Sequence, residues 1–247
     1  MKVGTTVGPH IGIVEGDTDP FEFVEPALNP RDCPVDELDA ERRREQMDAA
    51  GLDCMVHLPH FPHLATTITE VDEGIRAYQE RALDVAETLG ATKAVVHGKS
   101  KVANDQYREA FVEQAGWLAD EAAERGVELV VENMGYSGGF PLDELPDVVR
   151  EVGASVCFDV GHAFREGGQD AVESFLAEHG DLVSHLHVHD ARSRGDDHIP
   201  IGTGQIDFAP VMAWASGRDV TVAVELLVDD FAFHRESVRR LRSMTPE

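Results

Sequence analysis

The sequence predicts an α/β protein, a single (β/α)8 barrel covering residues 1–247. Three observations predict it. Eight strand-like runs alternate, for the most part, with helical periodicity; no shift of composition marks a linker; and six of the runs contain a residue able to bind a metal at or near their ends. In parallel α/β folds the chemistry sits at the C-terminal ends of the strands, and a closed barrel converges them on one mouth. A doubly wound open sheet, the runner-up, would not usually draw ligands from six strands at once. Barrels of this kind run to about 250 residues as one domain.

In chain order, the runs are 2–7, 21–28, 53–58, 93–98, 128–133, 155–160, 183–189 and 221–227. The first follows directly on Met1 and shows no signal-peptide pattern. The third contains Met55-Val56-His57, and a helical pattern over 70–90 follows, with Ile75, Tyr78, Ala82, Val85, Ala86 and Leu89 at helical spacing. The fourth carries Ala94-Val95-Val96-His97 and leads to a second helical pattern over 104–125, with Phe111, Ala115, Leu118 and Ala122. The remaining runs carry Leu129-Val130-Val131-Glu132, Val156-Cys157-Phe158-Asp159, Leu186-His187 and Val222-Ala223-Val224-Glu225, and the loop Asp196-Asp197-His198 completes the set. Gly51, Gly90, Gly126 and Gly153 stand just before strands, as helix stops do. Residues two apart share a strand face. Val95 therefore lies below His97, Cys157 below Asp159 and Ala223 below Glu225, as a filled barrel interior requires. His185, His187 and His189 share a face as well, the lower ones projecting into the barrel and His189 sitting at the rim.

The formal charge of −26 is extreme, and only four Lys accompany 17 Arg. Acidic residues fall largely on helical stretches such as 36–48 and 113–128, which makes them a solvated outer shell. Such a shell repels itself at low ionic strength, whereas at 1 M salt the Debye length is about 3 Å. The expectation is a halophilic archaeal protein of the cytoplasm. Charge of this sign repels nucleic acid in dilute buffer, but molar salt weakens that argument, so it does not exclude DNA. Cys33, Cys54 and Cys157 make no CxxC pair and are expected as reduced thiols. No apolar run approaches the roughly 20 residues of a membrane helix. A homo-oligomer is left open.

Glu132 and Glu225 end runs that are almost wholly apolar, where a carboxylate needs a cation or donors to stay charged; the alternative is an ion pair with a barrel arginine. Asp159-Val160-Gly161-His162 places a carboxylate at a strand end and an imidazole on the following turn. With Gly161 easing that turn, both reach one ion; the alternative for Asp159 is a helix cap. His57 and His97 taken singly are ambiguous. In His185-Leu186-His187-Val188-His189-Asp190 the best ligand is His187. His10, His60, His63, His179 and His234 lack strand-end placement and are expected to be structural, or substrate contacts at best. Gly202-Thr203-Gly204 is a weak phosphate-loop signal, and no GxSxG elbow is present. Together His57, His97, Glu132, Asp159, His162, His187, Asp196, His198 and Glu225 offer five imidazoles and four carboxylates. One octahedral cation takes at most about six ligands. Three divalent cations would leave two positive charges, which a hydroxide or a phosphate would neutralise. The count leaves one to three ions open, with Mn2+ or Zn2+ expected.

These residues together resemble the xylose isomerase-like TIM barrel superfamily, which groups sugar isomerases and epimerases with endonuclease IV-type apurinic endonucleases. The likeness is greatest to the sugar phosphate isomerase/epimerase-like family. It runs through Val56-His57-Leu58-Pro59, Val96-His97-Gly98, Val131-Glu132-Asn133-Met134, Phe158-Asp159-Val160-Gly161-His162-Ala163 and His187-Val188-His189-Asp190. The stretch from Asp197 to Gly204, with Ile206-Asp207, extends it, while Val3 to Leu28 match more loosely. For a ketose epimerase the resemblance implies one cation on Glu132, Asp159, His187 and Glu225. Glu132 and Glu225 would be the catalytic acid and base, removing a proton beside a carbonyl through a metal-stabilised enediolate. His162 would contact substrate, with His198, Lys99 and Arg192. For endonuclease IV-type enzymes it implies that all nine residues bind a trinuclear zinc cluster. Against that stand a shorter chain and no evident basic, aromatic loops for kinking DNA. His60-Phe61-Pro62 offers a small wedge at most, and Lys99, Lys101, Arg165, Arg192 and Arg194 make a sparse rim that suits a phosphate monoester better than a duplex. From sequence, a metal-dependent isomerase or epimerase of a small sugar-like or sugar phosphate substrate ranks first. A phosphoesterase acting on abasic DNA is the alternative.

Overall fold

Eight parallel strands close on themselves in sequence order, the first pairing with the last from Lys2 opposite Thr221 to Thr5 opposite Val224. They are β1 (Lys2–Thr6), β2 (Phe23–Glu25), β3 (Asp53–His57), β4 (Ala91–Gly98), β5 (Glu128–Asn133), β6 (Ser155–Asp159), β7 (Val183–Val188) and β8 (Thr221–Val224). Around them lie α1 (Ala40–Ala50), α2 (Thr69–Leu89), α3 (Asp105–Glu124), α4 (Leu145–Val152), α5 (Val160–Gly167), α6 (Gln169–His179), α7 (Ala209–Ala215) and α8 (Phe231–Met244). This computed structural model describes residues 1–30, 33–99, 105–192 and 195–246. The architecture is the (β/α)8 barrel that the alternating pattern predicts, with two variations. α5 and α6 both lie between β6 and β7, and between β1 and β2 the helical connection is a 3₁₀ segment, Gly8–Glu15.

Two strands are shorter than their apolar runs by three residues or more. β2 stops at Glu25 because Pro26 has no amide for the ladder; beyond it Pro26 O accepts from His57 N–H at 3.0 Å and Leu28 N–H donates to His57 O at 2.8 Å. β8 stops at Val224. The Glu225 amide still donates to Val188 O at 3.0 Å, but Leu227 turns to His198 O in the neighbouring loop. Helices stop where glycine allows: Gly51, Gly90, Gly126 and Gly153 have φ of 70°, 70°, 70° and 77°, the left-handed conformation that caps a helix C-terminus.

The main core lies between barrel and helices. α3 shows how: Phe111, Ala115, Leu118 and Ala122 are fully buried, while Glu109, Glu113, Asp120 and Glu124 face water. Inside the barrel are two small apolar layers, Phe23 with Met55 and Ala223, and Val95 with Val130 and Cys157. Val95, Cys157 and Ala223 thus lie beneath the functional residues that strand parity places above them. Among the described residues no helix is long and apolar enough to cross a membrane.

Candidate metal centre

Register decides which side chains meet. His97 lies opposite Glu132 across β4 and β5, and Asp159 opposite His187 across β6 and β7. All nine residues nominated from sequence come together at the C-terminal mouth. Glu132, 2% exposed, is at the middle. Its Oε2 lies 3.4 Å from His57 Nε2 and 3.3 Å from His97 Nε2, and its Oε1 lies 3.1 Å from His162 Nδ1 and 3.9 Å from His187 Nδ1. Glu225 Oε2 approaches His187 Nδ1 at 3.3 Å and His198 Nδ1 at 3.8 Å. Asp196 Oδ1 sits 3.2 Å from His198 Nε2 and 3.5 Å from His162 Nε2. The arginine ion pair considered for Glu132 is absent among the described residues; imidazoles surround it instead.

Three neighbouring groups at the mouth have donor atoms within 4.8 Å of one another: His57 with His60 and His97; Glu132 with Asp159, His187 and Glu225; His162 with His189, Asp196 and His198; a fourth, Cys157 with His185 and His187, is fully buried. Among the described residues, six buried atoms in the three mouth groups find no hydrogen-bond partner: Asp159 Oδ2, His162 Nε2, His187 Nδ1, His189 Nε2, Asp196 Oδ1 and Glu225 Oε2. Buried polar atoms are nearly always satisfied, so this convergence of orphans fits divalent cations. A mixed imidazole and carboxylate set suits Zn2+ and Mn2+.

Local structure holds the donors in place. Asp159 ends β6 and caps α5 directly, Oδ1 accepting from His162 N–H at 2.7 Å, so it is cap and candidate ligand at once. Asn133 clamps it, accepting from Asp159 N–H at 2.6 Å and donating to Asp159 O at 3.0 Å. The position of Gly161 after Asp159 suggests a glycine that eases a turn. The structure corrects the reason: α5 starts at Val160, and a Cβ on Gly161 would lie 2.1 Å from His189 Cε1, so the glycine makes room for that ring. His198 has φ of 43°, a left-handed strain of about 1–3 kcal/mol that functional loops often store. The Gly202 and Gly204 amides, the weak phosphate-loop signal of the sequence, both donate to Asp190 Oδ2, at 2.9 and 2.7 Å.

Electrostatics follow from this crowding. Burial alone would raise the Glu132 carboxyl, but the surrounding imidazoles hold it well below the usual carboxylate range. Burial opposes charge on His198, yet Glu225, Asp196 and Asp159 outweigh it and push its pKa up to about 9. His162 and His187 are raised in the same way, by Asp159 and by Cys157 with Glu25 respectively. Burial wins at His97, which falls to about 3.

Four residues escaped the sequence reading. Glu25, fully buried at the end of β2, lies 2.9 Å from His185 Nε2 and 3.0 Å from His187 Nε2. The run Phe23-Val24-Glu25 carried the same signal as the other strand ends. His189, expected at the rim, brings Nε2 to 3.4 Å from Asp159 Oδ1. His60, set aside as a loop residue, joins His57 and His97. Tyr136 donates to Asp196 Oδ2 at 2.7 Å, and no sequence pattern marks it. Of the nominated cations, Arg165 stacks on the Tyr136 ring at 4.5 Å and lies 3.9 Å from Asp196. Lys99 is half-buried just past β4. Arg192, 65% exposed, faces Asp197 at 4.0 Å; Lys101 and Arg194 lie outside the described residues. His234 is a buried strut between Thr5 and Val228 O, and His10 pairs with Asp229 at 3.3 Å. A cavity of about 360 Å3 opens beside the cluster, bordered by His57, His60 and Glu225 on one side and by His10, Leu226 and Phe231 on the other.

The probable endonuclease 4 of Mycobacterium ulcerans (strain Agy99) is 29% identical over 259 residues, spanning 96% of this chain and 99% of the relative. Among solved structures, the 3-keto-D-glucoside 4-epimerase of E. coli superposes with a TM-score of 0.78 at 18% identity, covering 98% of this chain and 99% of that one. A D-tagatose 3-epimerase-like protein gives 0.78 at 20% identity, over 99% and 97%. At such identities these likenesses show the fold alone. The family model described as xylose isomerase-like TIM barrel matches residues 18–243, nearly the whole closed barrel, and the chain belongs to that family.

Proposed function

We propose that this protein is a metal-dependent phosphodiesterase acting on abasic-site DNA, with a centre built for three divalent cations. This reverses the order of preference drawn from sequence. One observation carries the change. Both oxygens of Glu132 face imidazoles, Oε2 toward His57 and His97 and Oε1 toward His162 and His187. A base for proton abstraction needs an oxygen open to substrate, whereas a carboxylate ringed in this way would serve better to help hold divalent cations. The full-length similarity to a probable endonuclease 4 supports the same reading.

The three groups would share the ions. His57 and His97 serve the first, with His60 beside them. Asp159, His187 and Glu225 serve the second, His162, Asp196 and His198 the third, and Glu132 lies between. Cations held there supply positive charge to a phosphate and an activated water nucleophile at neutral pH. The protein's own groups orient them. Tyr136 fixes Asp196 by its hydroxyl, Asn133 fixes Asp159, and Asp190 ties down the loop bearing His198. Arg165 on α5, Lys99 just past β4 and Arg192 just past β7 follow strand ends and would be available to a phosphate. The expected setting is a salt-rich cytoplasm, where screening lets an acidic protein approach DNA.

A second reading rests on Glu132, Asp159, His187 and Glu225, which converge by themselves as a single-ion site. That quartet suits a sugar isomerase or epimerase with Glu132 and Glu225 as a two-base pair, and the epimerase structures share this fold. Incubation at high salt with an abasic-site oligonucleotide, and separately with ketoses in D2O, tells the two apart. Strand cleavage, lost on His57→Ala, His97→Ala or His198→Ala as severely as on Glu132→Gln, is the expected result. Deuterium entering the carbon beside a carbonyl, without cleavage, would establish the isomerase instead.

A further inference from the structure

Four cluster histidines fix their rings in the same way. His57, His162, His189 and His198 each donate through Nδ1 to a main-chain carbonyl, those of Leu58, Asn133, Asp190 and Glu225, at 2.8 to 3.3 Å. In each, Nε2 is the atom left for a cation. His187 is reversed. Its Nδ1 points into the cluster, 3.3 Å from Glu225 and 3.9 Å from Glu132, and its Nε2 meets Glu25 Oε1 at 3.0 Å.

Glu25 is itself held from below. Its Oε2 lies 2.9 Å from His185 Nε2, and His185 Nδ1 lies 2.6 Å from Thr221 Oγ1, which accepts from Lys93 Nζ at 3.3 Å. Glu25, His185 and His187 are each 0% exposed. The chain of contacts therefore climbs the barrel interior from its floor to the cluster. A carboxylate buried so deeply is costly unless its hydrogen bonds are met, and apolar packing of the same volume often serves stability as well or better. Holding a ligand is a task that apolar packing does not perform.

We propose that Glu25 is a positioning residue for the metal centre. It holds His187 in the tautomer with the proton on Nε2 and the lone pair of Nδ1 aimed at the cluster, while His185 and Thr221 fix the carboxylate in turn. A carboxylate behind a ligating histidine sets both its ring orientation and its basicity, and losing such a partner typically costs 10–100-fold in metal affinity. The inference rests on the metal-centre reading above, though on neither choice of reaction, since His187 belongs to the site in both.

The test uses metal alone. Full-length protein with 15N-labelled histidine is loaded with 113Cd2+ at high salt, and each imidazole is read by its cadmium coupling. His187 is expected to couple through Nδ1 and to carry a proton on Nε2, with His57, His162 and His198 reversed. Glu25→Gln, which keeps the volume, and Glu25→Leu should each weaken one Cd2+ site by about tenfold or more and erase the Nδ1 signature. Should a variant fail to fold, the wild-type spectrum still decides. Coupling of His187 through Nε2, or unchanged affinity in both variants, would overturn the role of Glu25 and leave the metal centre standing. A wild-type protein that takes up no cadmium would bring down both.

Discussion

Glu132 separates the two functions, because its surroundings define what it can do. With imidazoles facing both oxygens, the proposed function gives it the task of holding cations rather than that of accepting a substrate proton. The same crowding makes stability depend on pH in a definite way. In metal-free protein His198 titrates at about 9, with His57, His162 and His187 also raised, so the folded state binds protons that unfolded histidines, near 6.5, do not. That contribution is complete below pH 6.5 and is lost as pH rises through about 9. His97, held neutral down to about 3, acts oppositely: its contribution is present above 6.5 and is lost as pH falls. Urea midpoints of metal-free protein should therefore peak near pH 6.5 and fall toward both 5 and 9.5. Bound cations require neutral imidazoles and should flatten the alkaline limb. A midpoint still rising steadily from 5 to 9.5 without metal would contradict these assignments. At this scale the nine strand-end and loop donors were legible because an apolar run stopping on a carboxylate or imidazole is a strong signal. Glu25 carried it as well, in a weakly matched stretch. Tyr136 and His60 did not, since loop residues acquire a role only when the chain folds them back onto the mouth.

Among the elements, the loop from β7 to α7 is the most demanding. Asp190 gathers four amides: Ala191 and Ile206 on Oδ1, Gly202 and Gly204 on Oδ2. A Cβ on Gly204 would lie 2.3 Å from Asp190 Oδ1 and 2.4 Å from Ala191 O. Gly204→Ala should cost about 1–3 kcal/mol, as overpacking does, seen as a lower thermal midpoint and weaker metal retention through displaced Asp196 and His198. Gly116→Ala, where an added Cβ meets nothing within 4 Å among the described residues outside its own helical turn, should hold or raise the midpoint; equal losses in both would remove the Asp190 hub from the account. The strands and the two long helices were readable from period alone. The 3₁₀ segment after β1 and the brevity of β2 were not, because they depend on how that chain crosses the barrel rim and on the missing amide of Pro26. Gly161 was noticed for the wrong reason, since the ring it accommodates belongs to another strand.

For the whole molecule, the charge of −26 sits on outward helix faces such as Glu109, Glu113, Asp120 and Glu124 of α3. Surface pairs such as Arg108 with Glu151 and Arg125 with Asp84 relieve little of it, since exposed ion pairs contribute about 0–1 kcal/mol each. Screening should help far more, so the thermal midpoint is expected to climb steeply from 0.1 to 3 M KCl, and a flat response would remove the inference of salt adaptation. The centre itself is tested most directly by counting metal ions per chain, by elemental analysis of protein equilibrated with Zn2+ or Mn2+ at high salt. Three ions are predicted in the wild type, with one fewer in His97→Ala and one fewer in His198→Ala. A single ion, retained in both of those variants and lost only with Glu132, Asp159, His187 or Glu225, would contradict the three-metal centre.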